Sequence, residues 1–185
     1  GTTGSRQMRN LYEVNAEIIK PCCESSRTSY VEHLRLQQAG LSSASTCPIG
    51  VPVDTFVSHW WGEEFPMMVK TLKKYAKFRC DGHCRRQREW QAWSFWICAF
   101  ANNQFAVDHA TGLNGDVSTS AFAVALQNCQ EMVAVIDPGA EIYKRIWCTF
   151  ELFYADSLPG RRQIVLANHA GILSAGAATR ATVQQ

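Results

Sequence analysis

From residue 51 onward, short apolar runs rich in β-branched and aromatic residues alternate with segments of helical periodicity. This alternation is the strongest constraint on the fold, because strands separated by helices form right-handed βαβ units and a parallel sheet. A continuously apolar run is typical of a strand that is covered on both faces. The predicted strands are residues 55–59, 94–100, 132–136 and 163–167, of which 94–100 is expected to be fully buried.

The segments between these runs predict helices over about 66–78, 119–128 and 144–156. In the first, Pro66 suits the opening turn, and apolar and lysine side chains fall on opposite faces. Helices on both faces of a central parallel sheet of four to five strands give a three-layer α/β fold of the flavodoxin-like type. A fifth strand is not apparent before Gln185, so we expect the natural chain to continue.

Residues 1–50 differ from the rest of the chain, with polar, Ser-rich patches and two short helical patterns. The second pattern begins at Ser29, which forms a capping-box sequence with Glu32, and it ends near Gly40, a residue type that favours the position after a helix. We therefore predict a mostly helical amino-terminal extension over 1–50, packed on an α/β domain over 51–185.

Composition limits the classes of partner. Apolar residues make up 46% of the chain and charged residues 18%, which is typical of a globular domain. A net charge of +2 gives no indication of nucleic acid, and no apolar run approaches the roughly 20 residues that span a membrane. Among eight cysteines, Cys98 lies in a strand-like run and Cys129 and Cys148 in helical patterns, which favours reduced thiols and a cytoplasmic location.

The topology alone predicts where a ligand binds. In open parallel sheets, ligands bind beyond the carboxyl ends of the strands, where the chain reverses its winding direction. If the second and third strands flank the first, this point lies between the first and third strands. Three segments then surround one crevice: 58–64, 137–143 and the start of the helix that carries Glu151.

Two adjacent tryptophans follow the first predicted strand. Successive side chains of an extended segment diverge, so Trp60 and Trp61 cannot both point into one core. They form an aromatic wall for a planar ligand, or they pack against the amino-terminal extension; the sequence leaves both open. Gly62 permits a sharp turn or a close backbone approach, and Ser58, His59 and Asp137 are candidate polar groups of the crevice.

One carboxylate lies within the apolar segment 145–154. Glu151 is four residues from Trp147 and therefore shares a helix face with it. An acid among aromatic residues is a candidate for catalysis, because its environment perturbs its pKa. The alternative is a glutamate on the solvated stripe of the helix, paired with Arg145 or Lys144.

Three of these segments resemble the TIR (Toll/interleukin-1 receptor) domain, in particular its plant and protist branches. The first-strand segment of plant members reads Phe-Leu-Ser-Phe-Arg-Gly-Glu-Asp, and their later helix carries Trp-Cys-Leu-x-Glu-Leu. This chain has Phe-Val-Ser followed by Gly-Glu-Glu over 56–64, a third strand over 131–136, and Trp-Cys-Thr-Phe-Glu-Leu over 147–152. The resemblance covers about 53–167, without the arginine of the first motif.

The resemblance implies an enzyme that cleaves the nicotinamide–ribose bond of NAD⁺, which is a substrate and not a cofactor. Glu151 would be the catalytic carboxylate, Trp60 or Trp61 would stack on a base ring, and Ser58 would lie near the nicotinamide ribose. His59, Gly62, Asp137 and Trp147 complete the expected substrate-binding set. The products would be nicotinamide with ADP-ribose or a cyclic variant, and self-association into a homo-oligomer would activate the enzyme.

Two other functions remain open at this point. Many TIR domains only assemble, so a non-catalytic signalling module is the first alternative. A nucleoside deoxyribosyltransferase, which uses a glutamate at an anomeric carbon on a similar sheet, is the second. No metal site is predicted: Cys80, His83 and Cys84 supply three ligands where structural zinc takes four, and no second pair follows at a suitable spacing.

Overall fold

The computed structural model describes residues 9–40, 53–83, 89–107, 117–160 and 162–176. A five-stranded sheet crosses the centre, in the order β2-β1-β3-β4-β5. All neighbouring strands are parallel except β4 and β5, which are antiparallel. The strands are β1 (Thr55–Ser58), β2 (Phe95–Trp96), β3 (Glu131–Val135), β4 (Gln163–Asn168) and β5 (Gly171–Gly176).

Helices lie on both faces of the sheet, which confirms the three-layer, flavodoxin-like α/β fold. The first helical segment runs from Leu11–Val14 through a π-helical turn, Asn15–Ile19, into Lys20–Cys23. None of the helices in the described ranges is long and apolar enough to cross a membrane. The α-helices are α1 (Leu11–Val14), α2 (Lys20–Cys23), α3 (Tyr30–Ala39), α4 (Phe65–Phe78), α5 (Cys98–Ala101), α6 (Ala121–Asn128) and α7 (Ile146–Ser157).

The two central strands are buried along their whole length, as expected for strands between two helical layers. Alternate side chains point to opposite faces. Val57 packs with α4 and the amino-terminal helices, whereas Phe56 packs with α6 and α7. β1 lies between β2 and β3, so the reversal of winding direction falls between β1 and β3, as the sequence predicts.

The amino-terminal helices share the core of the sheet domain. Leu11 and Val14 belong to the same buried cluster as Met68 of α4. The backbone also joins the two parts, because Leu11 N–H donates to the carbonyl of Trp61 at 2.9 Å. The capping box that begins α3 is confirmed by reciprocal bonds between Ser29 and Glu32.

Two predictions about strands are wrong. Only Phe95 and Trp96 of the run 94–100 form a strand, because α5 begins at Cys98. These two side chains are half-buried rather than fully buried, since β2 lies at the edge of the sheet.

A fifth strand is present before Gln185, contrary to the prediction. β5 returns against β4 through a tight turn, in which Asn168 Oδ1 accepts from the backbone N–H groups of Ala170 and Gly171. Gly171 has a φ of 152°, a value that favours glycine. The strand itself is Gly-Ile-Leu-Ser-Ala-Gly, a sequence of low β propensity.

The shared core predicts that the amino-terminal helices contribute to the stability of the whole domain. Leu11 is 1% exposed, so Leu11→Ala should lower the free energy of unfolding by about 2–5 kcal/mol. The matched control is Ile18→Ala, because Ile18 is 37% exposed on the same helical segment and should have a much smaller effect. Urea denaturation measures both, and equal effects of the two changes would contradict a shared core.

Candidate functional site

A cavity of about 260 Å³ opens at the carboxyl ends of β1 and β2 and contains Glu151 in its lining. We call it the Glu151 cavity. Its walls come from the amino-terminal extension, the loop after β1, α5 with the loop that follows, α6 and the first turns of α7. The lining residues are Tyr12, His59, Trp60, Trp61, Cys98, Asn102, Gln104, Val107, Phe122, Arg145, Trp147, Cys148 and Glu151.

Glu151 is buried, with 4% of its surface exposed, so the solvated-stripe interpretation is wrong. Lys144, one of its suggested partners, pairs instead with Glu141 at 2.6 Å. Ser58 Oγ, at the end of β1, donates a hydrogen bond of 2.5 Å to Glu151 Oε2. Burial raises the pKa of Glu151 to about 8, although the bond from Ser58 lowers it in part. In the free protein this carboxyl is therefore mostly protonated at neutral pH.

His59 is buried beside the cavity in its neutral form. Burial lowers the pKa of His59 to about 4. Its Nδ1 lies 3.4 Å from the carbonyl oxygen of Val57, which requires the proton to be on Nδ1. Nε2 then carries the lone pair, and it has no hydrogen-bond partner within the described part of the chain. The free lone pair could accept a hydrogen bond from a hydroxyl group or a water.

The sequence left open whether the tryptophans after β1 form a cavity wall or pack against the amino-terminal extension, and Trp61 does both. Trp61 packs edge-on against Tyr12 of α1, with 5.5 Å between ring centroids, and also lines the cavity. Its Nε1–H donates to Cys98 Sγ at 3.1 Å, which fixes the orientation of the ring. Trp60 lies across Gly62, where an added Cβ would be 2.3 Å from the Trp60 ring. Gly62 therefore provides space for the indole.

Trp147 supplies a third indole from α7. Its ring stacks on Phe122 of α6, with 5.8 Å between centroids and 14° between planes, and it meets Phe150 edge-on. These contacts hold the ring on the same side of α7 as Glu151. The spacing of four residues therefore places Trp147 and Glu151 next to each other in one wall of the cavity.

Three predicted site residues do not line the Glu151 cavity. Ser58 is completely buried and reaches the cavity only through its bond to Glu151. Gly62 and Asp137 line a neighbouring cavity of about 300 Å³, which we call the Asp137 cavity. Asp137 accepts hydrogen bonds from the backbone N–H groups of Gly139 and Ile142, so it caps the turn after β3. Trp60 is shared by both cavities.

The sequence did not predict a ligand-binding role for several polar residues that line the Glu151 cavity. Asn102 and Gln104 follow α5, and Gln104 Nε2 donates to the carbonyl oxygens of Cys98, Ala99 and Asn102. Among the described residues of the lining, Arg145 is the cation, and it lies next to the first turn of α7. It lies two residues before the Trp-Cys-x-x-Glu-Leu motif, and this position was the available signal in the sequence.

A metal site is not apparent in the ranges that the structure describes. No group of three His, Cys, Asp or Glu side chains there could hold a metal ion. The motif at Cys80 and His83 is only partly covered, because Cys84 lies outside those ranges.

Comparison of the chain with protein-family models, with curated proteins and with solved structures finds no match.

The buried carboxyls predict a pH dependence of stability. A carboxyl whose pKa is raised on folding stabilises the native state at low pH, and this contribution is lost as the pH rises toward the native pKa. Glu151 and Glu63 both have native pKa values of about 8, so the free energy of unfolding should fall from pH 6.5 to 7.5. Each group contributes a slope of up to about 1.4 kcal/mol per pH unit.

Glu151→Gln should remove about half of this slope, whereas Glu64→Gln, at an exposed position, should leave it intact. Urea denaturation at several pH values measures it. His59 contributes with the opposite sign, mainly between about pH 4 and 6.5, so it opposes the fall only at the lower end of this window. An unchanged slope in Glu151→Gln would show that this carboxyl ionises normally.

Proposed function

We propose that the chain is a TIR-like NAD⁺ nucleosidase that cleaves the nicotinamide–ribose bond in the Glu151 cavity. The observation that carries the proposal is the buried carboxyl of Glu151, held by Ser58, in a cavity whose described lining also includes the indoles of Trp60, Trp61 and Trp147. Its position beyond the carboxyl ends of the parallel strands is the usual ligand site of this fold class. The choice of NAD⁺ as the substrate rests on the motif resemblance to TIR domains.

The chemistry requires a fixed negative charge near the ribose. When the C1′–N bond breaks, its electron pair returns to the pyridine nitrogen, so nicotinamide leaves as a neutral molecule. Positive charge develops on the ribose C1′ and ring oxygen. An ionised Glu151 stabilises that charge, and a preorganised group of this kind lowers a barrier by about 3 kcal/mol or more. Water then adds to C1′ and loses a proton, which gives ADP-ribose.

The walls of the cavity suit the parts of NAD⁺. A pyridinium ring is flat and cationic, so it gains from the faces of Trp60 and Trp147. Arg145 is the group in the lining that attracts the pyrophosphate. The volume of about 260 Å³ is near the lower limit of ligand pockets, which fits the nicotinamide riboside half, with the remainder of NAD⁺ extending past Arg145.

The raised pKa of Glu151 is consistent with this role. In the free protein the carboxyl is mostly protonated at neutral pH, since burial disfavours its charged form. A bound pyridinium brings a positive charge beside it and favours ionisation. Binding of the substrate would thus ionise Glu151 and form the carboxylate that cleavage needs. In the empty site, Glu151 remains neutral and no charge is buried.

The direct test is release of nicotinamide from NAD⁺ by concentrated protein. Glu151→Gln keeps the shape of the side chain and removes its charge, so it should lower the turnover rate by about 100-fold or more. Glu141→Gln is the matched control, because Glu141 lies outside the Glu151 cavity and should have nearly unchanged turnover. Mass analysis of the second product distinguishes ADP-ribose from a cyclic variant. Equal activity in Glu151→Gln would contradict the proposal.

The pH profile of kcat/KM provides a second test. The pH dependence of kcat/KM reports the pKa values of the free enzyme, in which Glu151 has a pKa of about 8. Because the reaction needs the ionised carboxylate, kcat/KM should rise about tenfold between pH 6 and pH 7 and level off above about pH 8. Ser58→Ala should move the profile to higher pH, because the lost hydrogen bond favours the charged carboxyl. A profile that is flat across this range would exclude Glu151 as the titrating group.

A non-catalytic assembly module is the second candidate, and a feature of α7 favours it. Ile146 and Phe153 are 81% and 73% exposed, and their spacing of seven residues places them on one helix face. An apolar face of this kind suits association with another copy of the chain. Self-association without NAD⁺ turnover at any protein concentration would support this function, and turnover that rises steeply with concentration would support an enzyme activated by assembly.

The same assay with a deoxynucleoside in place of NAD⁺ distinguishes a deoxyribosyltransferase from an NAD⁺ nucleosidase, since a deoxyribosyltransferase would release the base of the deoxynucleoside. The NAD⁺ substrate agrees with a cytoplasmic protein, and so do the free thiols of Cys22, Cys23, Cys98, Cys129 and Cys148.

A further inference from the structure

The Asp137 cavity is rich in carboxyl groups and is not used by the proposed hydrolysis. It lies beyond the carboxyl ends of β1 and β3 and has a volume of about 300 Å³. Within the described part of the chain, four acidic side chains line it, together with one histidine and the shared indole of Trp60. The acidic residues are Glu63, Glu64, Asp137 and Glu141, and the histidine is His169.

Glu63 is the unusual member of this group. It is only 7% exposed, and its Oε2 atom has no hydrogen-bond partner within the described part of the chain. A buried oxygen of a carboxyl group without a partner is costly, and native structures rarely retain one. Burial and the nearby charge of Asp137 raise the pKa of Glu63 to about 8. Glu63, which lines the cavity, therefore has a buried carboxyl oxygen without a hydrogen-bond partner among the described residues.

The neighbouring charged groups do not supply a donor for this oxygen. Asp137 accepts from two backbone N–H groups and presents further negative charge toward Glu63. Lys144, which interacts electrostatically with Asp137, is exposed and pairs with Glu141 at 2.6 Å. Glu64 is exposed at the rim, and His169 approaches from the turn between β4 and β5. A ligand that donates N–H groups and carries positive charge would complete the site.

The chemistry of the lining indicates which cation fits. No group of three His, Cys, Asp or Glu side chains in the described ranges could hold a metal ion, which disfavours a bare cation. The Trp60 ring forms one wall, and an indole face attracts organic cations. Ammonium and guanidinium groups provide both the N–H donors for Glu63 and the charge for the indole.

We propose that the Asp137 cavity binds a small organic cation, an alkylammonium or alkylguanidinium group, with Glu63 as its carboxylate partner and Trp60 as its aromatic wall. Binding ionises Glu63 and releases one proton per cation near neutral pH. The shared chemistry covers a free amine and the side chain of a Lys or Arg residue.

The test is calorimetric binding of n-butylguanidinium, which stays charged at every pH used, with n-butanol as the neutral control. Because Glu63 must ionise, wild-type affinity should increase about tenfold between pH 7 and pH 9. Glu63→Gln should abolish the pH dependence and weaken binding at pH 9 by at least tenfold. Glu64→Gln, at the exposed rim of the same cavity, should keep the pH dependence.

Proton release by the wild type gives a measurement that does not depend on a variant folding. Titrations at pH 7 in two buffers of different ionisation enthalpy should show about 0.9 proton released per cation bound. Equal binding of n-butanol, no proton release, or unchanged pH dependence in Glu63→Gln would each overturn the proposal.

Two further titrations locate the source of the cation and separate this site from the hydrolase proposal. A blocked Gly-Arg-Gly peptide that binds as tightly as n-butylguanidinium indicates the side chain of a protein, and exclusion of the peptide indicates a free small molecule. Glu151→Gln should bind the cation as the wild type does, because Glu151 does not line the Asp137 cavity. A failure of NAD⁺ hydrolysis would therefore leave this result unaffected.

Discussion

The hydrogen bond between Ser58 and Glu151 joins the central strand of the sheet to helix α7, and the organisation of the candidate site depends on it. Both residues are almost completely buried, so the bond acts in a medium of low polarity, where it is strong and where its loss would leave a carboxyl unpaired. Cys148, one turn earlier in α7, makes a parallel contact from its Sγ to the carbonyl oxygen of His59 at 3.4 Å. These two contacts fix the register of α7 against the end of β1.

The position of α7 determines what the cavity can recognise. With Glu151 turned inward, Trp147 lies one helical turn away on the same wall, and the exposed Arg145 also lines the cavity. The amino-terminal helices complete the opposite wall, because Tyr12 supports Trp61 from outside the sheet domain. The site is therefore assembled from segments that are distant in sequence, and the stability of the extension and the geometry of the cavity are linked.

Periodicity and capping signals predict much of the fold, since they depend on neighbouring residues. The central strands, α4 and the cap at Ser29 are of this kind. The edge strands of the sheet are not predicted by such local signals. The continuously apolar run 94–100 forms a short strand followed by a helix, and β5 is specified by its turn and not by β-branched residues. For the site, strand order and the spacing of Trp147 and Glu151 predict a common crevice, whereas the placement of Asp137 in a second cavity depends on how the turn after β3 folds.

The central claim is that Glu151 is a neutral buried acid that becomes a carboxylate when NAD⁺ binds. Carbon-13 NMR of glutamate side-chain carboxyls, assigned with Glu151→Gln, measures this directly in the presence of a carbocyclic NAD⁺ analogue whose C1′–N bond is not cleaved. The free protein should show a pKa of about 8 for Glu151, and the analogue should lower that pKa so that the group is ionised at pH 7. A Glu151 carboxyl that is already ionised at pH 7 in the free protein, or that is unaffected by the analogue, would contradict the account.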